Sequence, residues 1–198
     1  MNKILFLNGC VRENSRTLEL AEYALSFLSG EREDVDLYSL KLTPLDGEDL
    51  EFRSKAGINK DFSDDRFKLA KQFSQADTIV IATPYWDLMF PAVVKLYFES
   101  VTVSGLTFVY GENGIPKGLC KAKNLIYITT SGGPIIHNFG FEYVSALSKS
   151  FYGIEEVKFI SAQGLDIKGA DVDKIMRNAK DSVKALLLTC EGYANNAL

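Results

Sequence analysis

Three short stretches hold the residue types that could do chemistry. The first runs Asn8-Gly9-Cys10-Val11-Arg12-Glu13-Asn14-Ser15-Arg16-Thr17. A glycine leaves an apolar run, hydroxyls follow, and a helical pattern begins directly after them. A helix N-terminus offers unpaired N–H groups and the positive end of the dipole, which together suit a phosphate. Ser15 and Thr17 can add hydroxyl donors, and Arg12 or Arg16 can add charge. The plainer reading is that Asn14 or Ser15 only caps the helix, and these residues by themselves support both readings equally. Neither G-x-x-x-x-G-K-[ST] nor G-x-G-x-x-G is present, so a P-loop and a dinucleotide-binding Rossmann site are disfavoured. A loop rich in hydroxyls and poor in glycine suits a terminal monophosphate better than a pyrophosphate.

The second stretch is Pro84-Tyr85-Trp86-Asp87-Leu88-Met89-Phe90-Pro91, directly after Thr83. Two aromatics at the end of a strand suit a wall against a flat ring; they could equally cap the core or bury a partner surface. The third is Thr129-Thr130-Ser131-Gly132-Gly133-Pro134. Paired glycines let backbone approach a ligand closely, although Gly-Gly-Pro would make a turn in any case. His137 is the one histidine of the chain. It is a weak candidate for touching substrate, since such a residue is more often structural or solvated. The sequence suggests no Ser-His-Asp set, no paired carboxylates and no metal-ligand spacing, so the chemistry is expected from a cofactor.

These stretches need elements to position them. Short apolar runs at 4–7, 35–38, 78–82, 125–128 and 157–160 read as strands covered on both faces. Between them lie helical patterns: Leu18, Ala21, Leu25 and Leu28; Phe67, Ala70 and Phe73; a helix opened by Pro91 at its first position, with Val93, Leu96 and Tyr97; residues 141–152; and Ile175, Ala179, Val183, Leu186 and Leu187, ending near Gly192. Five strand–helix units in alternation argue for an α/β fold with a doubly wound parallel sheet and helices on both faces. Right-handed crossovers leave few topologies, of which the flavodoxin-like order 2-1-3-4-5 is the simplest. Strands one, three and four are then neighbours, and their loops converge at the switch point. Residues 43–63 and 104–122 read as long polar connections, of the kind that are functional or interfacial.

Bulk properties narrow the classes. The 198 residues suit one domain, spanning 1–198, and 46% hydrophobic with 24% charged residues is ordinary for a globular chain. A net charge of −4 leaves no basic excess for nucleic acid. Cys10, Cys120 and Cys190 are odd in number and far apart, which disfavours a disulfide framework or a cysteine metal site and fits a cytoplasmic location. The first residues hold too short an apolar run for a signal peptide, and no stretch approaches a membrane span.

At the three stretches the chain resembles the flavodoxin-like NAD(P)H oxidoreductases, the FMN-dependent azoreductases and quinone reductases. Residues 9–17 resemble the family's G-S-x-R-x-x-S-x-[TN] phosphate loop. Pro84-Tyr85-Trp86-Asp87-Leu88 resembles the P-M-Y-N-F segment that borders the flavin ring, and Thr130-Ser131-Gly132-Gly133 resembles its S-R-G-G loop. Lys95-Leu96-Tyr97-Phe98, residues 105–110 and Phe151-Tyr152-Gly153-Ile154 also look like azoreductase sequence. The resemblance implies bound FMN contacted by Cys10, Arg12, Ser15, Arg16, Thr17, Pro84, Tyr85, Trp86, Asp87, Leu88, Thr130, Ser131, Gly132 and Gly133. It implies NADH or NADPH as co-substrate, a quinone, azo or nitro acceptor, a ping-pong cycle and a homodimer. Three positions depart from the pattern: Cys10 stands for a serine, Asp87 for an asparagine and Ser131 for an arginine. Two other functions fit the same fold, an electron-carrying flavodoxin without nicotinamide activity and a binding module that has lost the flavin.

Overall fold

The structure, a computed structural model, describes residues 1–191. The expected helix end near Gly192 and the side chain of Cys190 lie outside the described residues. Three apolar strands, β1 (Lys3–Asn8), β3 (Thr78–Ala82) and β6 (Asn124–Thr130), form the middle of the sheet. Every residue of β3 is buried, as expected for a strand covered on both faces. β2 (Glu31–Asp36) lies on one edge and β7 (Glu156–Ala162) on the other, in the order β2-β1-β3-β6-β7, all parallel. Counting only these five strands, this is the expected 2-1-3-4-5 order.

Alternate residues of each strand face different helices. Ile4, Phe6, Val80 and Ile126 pack with Leu20, Ala21 and Ala24 of α1 (Arg16–Leu25) and with Met176, Ala179 and Val183 of α6 (Val172–Glu191). Leu5, Leu7, Ile79, Ile81 and Tyr127 pack on the other face with α3 (Lys68–Gln75), α4 (Ala92–Val101) and α5 (Phe139–Leu147). Aromatics dominate this second core. Phe73, Tyr97, Phe98 and Tyr152 are all within 1% of complete burial and meet mostly edge to face.

Several elements differ from the sequence expectation, each for a physical reason. β2 begins before the run at 35–38, and Tyr38 falls outside it. Its residues are Glu-Arg-Glu-Asp-Val-Asp, of which only Val35 is buried. An edge strand with one apolar contact carries no apolar run, and its charges discourage pairing with another sheet. Residues 43–63 are not an open connection, because they contain α2 (Gly47–Asn59). That helix buries only Ala56 and therefore lacks an apolar stripe, but a reciprocal capping box joins Asp46 and Asp49 at its start. Residues 104–122 hold a short antiparallel pair, β4 (Phe108–Tyr110) and β5 (Pro116–Gly118). Pro91 is the N-cap of α4 rather than its first residue, and its ψ of 149° is extended. Leu28 lies beyond the end of α1, and Leu20 and Ala24 fill the core positions.

The β4–β5 pair is anchored on the end of α5. That helix runs into a π-helical turn, Ser148–Tyr152, stopped by Gly153 with φ 73°. Gly118 of β5 sits directly on the peptide joining Tyr152 and Gly153, where a Cβ would overlap backbone atoms. Backbone cannot swing aside as a side-chain tip can, so this is a close approach that only glycine permits. Gly118→Ala should cost about 1–3 kcal/mol, the usual penalty for overpacking. Urea denaturation followed by circular dichroism measures this, and an unchanged midpoint would show that the hairpin shifts freely.

Candidate functional site

The carboxyl ends of β1, β3, β6 and β7 lie at one edge of the sheet, β6 and β7 running two residues past β1 and β3, and the loops leaving them meet around a cavity of about 340 Å³. Its walls are Cys10, Val11, Arg12, Asn14, Ser15, Arg16 and Thr17 from the first loop, Pro84, Tyr85 and Trp86 from the second, Thr130, Ser131 and Gly132 from the third, and Leu165 and Asp166 from a fourth. Eleven of the residues singled out in the sequence thus share one cavity. Asp87, Leu88, Gly133 and His137 do not line it.

Ser15 is the N-cap of α1, and its Oγ accepts from Leu18 N–H at 3.2 Å. Capping uses only the oxygen as acceptor, so the hydroxyl proton remains available to an anion. The first intrahelical donor is Glu19 N–H, to Ser15 O at 2.9 Å. The peptide N–H groups of Arg16 and Thr17 precede it and belong to the orphan donors of a first turn. The cap and the phosphate seat are therefore compatible at one residue. Thr17 is buried, and its hydroxyl shares a 2.6 Å hydrogen bond with that of Thr130, tying α1 to the end of β6. Its side chain is thus partly committed to holding two loops together.

Cys10 is buried, and its thiol lies 3.7 Å from Ala82 O. Burial pushes the thiol pKa up, and the Ser15 and Thr17 hydroxyls offset this only in part. At neutral pH the group stays a thiol, and a thiol is a poor nucleophile. Cys10 therefore packs the loop as a thiol.

In the second loop, Trp86 N–H donates to Met89 O at 2.9 Å, and Met89 N–H donates to Trp86 O at 2.8 Å. The two residues between them, Asp87 and Leu88, have φ of 49° and 68°. This is the backbone of a primed turn, which normally calls for glycine or asparagine. Leucine in that region is strained, and such strain persists only where the surroundings impose it. The turn commits the N–H and C=O of Trp86 and Met89 to each other, leaving those of Asp87 and Leu88 outside the pair. Tyr85 fixes its base: its N–H donates to Thr130 O at 3.0 Å and its hydroxyl to His137 O at 2.8 Å. His137 itself is exposed, and its ring stacks on Phe139 at 5.3 Å.

The third loop is held by Ser131, whose N–H donates to Ala162 O at 3.0 Å and whose Oγ donates to Gly133 O at 2.6 Å. Ser131 is buried and its hydroxyl is committed to Gly133 O, and as a neutral residue it brings no charge to the cavity.

Val11 and Asn14 line the cavity from within the first stretch though neither was expected to touch a ligand, and two lining residues, Leu165 and Asp166, were missed altogether. The fourth loop had a readable signal. Gln163-Gly164-Leu165-Asp166 follows the fifth strand, at the same edge of the sheet, and Gly164 has φ 80°. No cluster of histidine, cysteine or carboxylate side chains suited to a metal occurs among the described residues, and no described helix is long and apolar enough to cross a membrane.

The sheet order agrees with what comparison with known proteins finds. The flavodoxin-like fold family matches residues 2–187, and the chain belongs to that family. An FMN-dependent NADH:quinone oxidoreductase of Coprothermobacter proteolyticus is 36% identical over 202 residues, covering 94% of this chain and 98% of that protein. A protein of the same description from Lachnoclostridium phytofermentans is 33% identical, covering 91% and 96%. Among solved structures, an azoreductase from Bacillus anthracis superposes with a TM-score of 0.82 at 23% identity, over 94% of this chain and 99% of that one. At that identity the likeness concerns the fold.

The double use of Ser15 has a measurable consequence. Ser15→Ala removes the cap and should cost about 1 kcal/mol of stability, whereas Ser15→Gly should cost only a few tenths. Both should weaken binding of a phosphate ester such as FMN by about tenfold or more, the value of a hydrogen bond to a charged group. Thermal melts and flavin titrations separate the two effects. Unchanged affinity in Ser15→Gly would leave the residue a cap alone.

Proposed function

We propose that this protein is an FMN-dependent oxidoreductase that moves electrons from NADH or NADPH to a small quinone, azo or nitro acceptor. One observation carries the reading: loops from four strand ends, unrelated in sequence position, build a single cavity with a phosphate seat at one end and two aromatics at the other. Relatives sharing about a third of the sequence over nearly the whole chain, and named FMN-dependent NADH:quinone oxidoreductases, support it.

The residues present fit FMN. The N–H groups opening α1, the Ser15 hydroxyl and the guanidinium groups of Arg12 and Arg16 suit a terminal phosphate. Tyr85 and Trp86 offer flat apolar surface for the ring, and Trp86 is 42% exposed beside the cavity. The strained turn at Asp87–Leu88 fixes backbone polar groups against the same region without further reorganisation. Gly132 brings the third loop close. When bound, FMN supplies the two-electron chemistry, accepting from the reduced nicotinamide and giving to the acceptor, which use one pocket in turn. The protein's share is to bind, to orient and to limit water. Asp87 adds a carboxylate beside the turn, where a negative charge disfavours electron gain by a neighbouring group.

The working form in this reading is a cytoplasmic homodimer. Leu88, Tyr110, Ile115, Leu119, Ile136 and Phe139 are large apolar residues that a single copy leaves between 39% and 74% exposed. A two-fold interface buries one such patch twice.

Two measurements test the proposal. Heat should release FMN, identified by mass, from the yellow protein, and anaerobic NADH or NADPH should bleach its absorption. A flavin that neither nicotinamide reduces would make the protein an electron carrier, and no flavin at all would make it a binding module. Light scattering at low micromolar concentration should give a dimer mass. A monomer with full turnover would show that one copy builds the whole pocket.

A further inference from the structure

At the α1 end the cavity is bordered by charge from two separate loops. Arg16 Nη1 donates to Asp166 Oδ1 at 3.1 Å and lies 3.4 Å from Leu165 O. Asp166 is not a loose surface carboxylate. Its N–H donates to Gly132 O at 2.9 Å, the N–H of Leu165 to Ser131 O at 3.1 Å, and the N–H of Gly164 to Gly133 O at 3.2 Å. The fourth loop is thus zipped along the third. The Asp166 carboxylate then lies directly on the Cα of Gly132, where any Cβ would overlap its Oδ2. Glycine at 132 makes room for this carboxylate.

The pair does little for stability. Its side chains are 43% and 73% exposed, and ion pairs in such settings are worth about 0–1 kcal/mol. Its placement is nonetheless closely determined. The backbone bonds place Asp166 at the solvent-open border of a site whose other charged lining residues, Arg12 and Arg16, are cations, and the bond to Arg16 directs its carboxylate.

We propose that Asp166, paired with Arg16, makes this site selective for a flavin ending in a single phosphate over one that continues through a pyrophosphate to a second nucleoside. The inference rests on the flavin reading above. A terminal phosphate on the first turn of α1 presents its outer oxygens to Arg16, which stays bridged to Asp166, so the charges alternate. A dinucleotide must continue outward past the Arg16–Asp166 pair. Its second phosphate then meets a carboxylate of like charge, and at this solvent-exposed border the repulsion is modest and screened by salt, but it acts on the dinucleotide alone. Rejection of the wrong ligand by a built-in repulsion is a common source of specificity.

The experiment strips flavin from the full-length chain and titrates it with FMN, FAD and riboflavin, following flavin fluorescence at low and high salt. Wild type should prefer FMN to FAD. Asp166→Asn keeps the side-chain shape and removes the charge, and Asp166→Ala removes both. Each should narrow the FMN-to-FAD affinity ratio, Asp166→Ala by about tenfold, because the repulsion is gone. High salt should narrow the ratio in wild type more than in Asp166→Ala, since only wild type has the repulsion to screen. Arg16→Ala should weaken FMN binding while keeping the preference for it. A ratio in both Asp166 variants equal to that of wild type, with FMN still bound and melting temperatures unchanged, overturns the proposal and leaves the flavin reading standing. Wild type that binds FAD as well as FMN also overturns it. Wild type that binds none of the three overturns the flavin reading and this inference with it.

Discussion

Thr130 is the point at which the separate parts of the site are tied together. Its position at the end of β6 follows from a register that runs unbroken from β1 through β3 to β7. Its hydroxyl holds Thr17 at the start of α1, and its carbonyl accepts from Tyr85 at the base of the strained turn. The next peptide, at Ser131, donates to Ala162 at the end of β7. Each bond is of ordinary strength, worth about 1 kcal/mol net. Together they make the mutual placement of the first, second and fourth loops depend on two consecutive residues, Thr130 and Ser131. Parallel strands that end at one edge of the sheet supply the possibility of a shared cavity, and these bonds turn it into a fixed one.

The rigidity so obtained permits local strain. Asp87 and Leu88 adopt left-handed backbone that costs of order 1–3 kcal/mol each for non-glycine residues. Tyr85 anchors the turn on one side through Thr130 and His137. On the other side Gly140, at the start of α5, lies against Phe90, just after the turn, where a Cβ would come within 3.1 Å of the ring. Glycine at 87 and 88 would relieve the strain but would also leave the turn free to sample other conformations. A side chain at each position narrows those conformations and keeps the polar groups of the turn in place. His137 thus contributes through its carbonyl, which explains why its ring can sit exposed against Phe139 rather than in the cavity.

Much of this was legible in the sequence because the central strands are buried on both faces and read as apolar runs. What was not legible has a common cause. β2 and α2 each bury a single residue, so neither carries a hydrophobic period. α2 is declared instead by its cap, Asp46 with Asp49, a signal that periodicity does not register. The β4–β5 pair is three residues per strand, too short for alternation to show. At the site, hydroxyls, glycines and aromatics marked three loops. The fourth was passed over because Leu165 contributes packing and Asp166 contributes charge through an ion pair 150 residues distant in sequence.

The charge at the site also clarifies how an acidic chain can hold an anionic cofactor. A net charge of −4 disfavours phosphate at long range, but salt at physiological strength screens such fields within about 8 Å. Beyond that distance the overall balance matters little, and within it the arrangement is local. Arg12 and Arg16 flank the first turn of α1, whose dipole adds to theirs. The carboxylate of Asp166 balances one of the two guanidinium groups, so the seat is less positive than its residue count suggests. Binding there cannot rest on charge alone. In the proposed reading it draws on directed N–H and O–H donors for the phosphate and on the flat surface of Tyr85 and Trp86 for the ring. A ligand that has only one of these features then gains only part of the contact, and it is this coupling that would make the cavity discriminating.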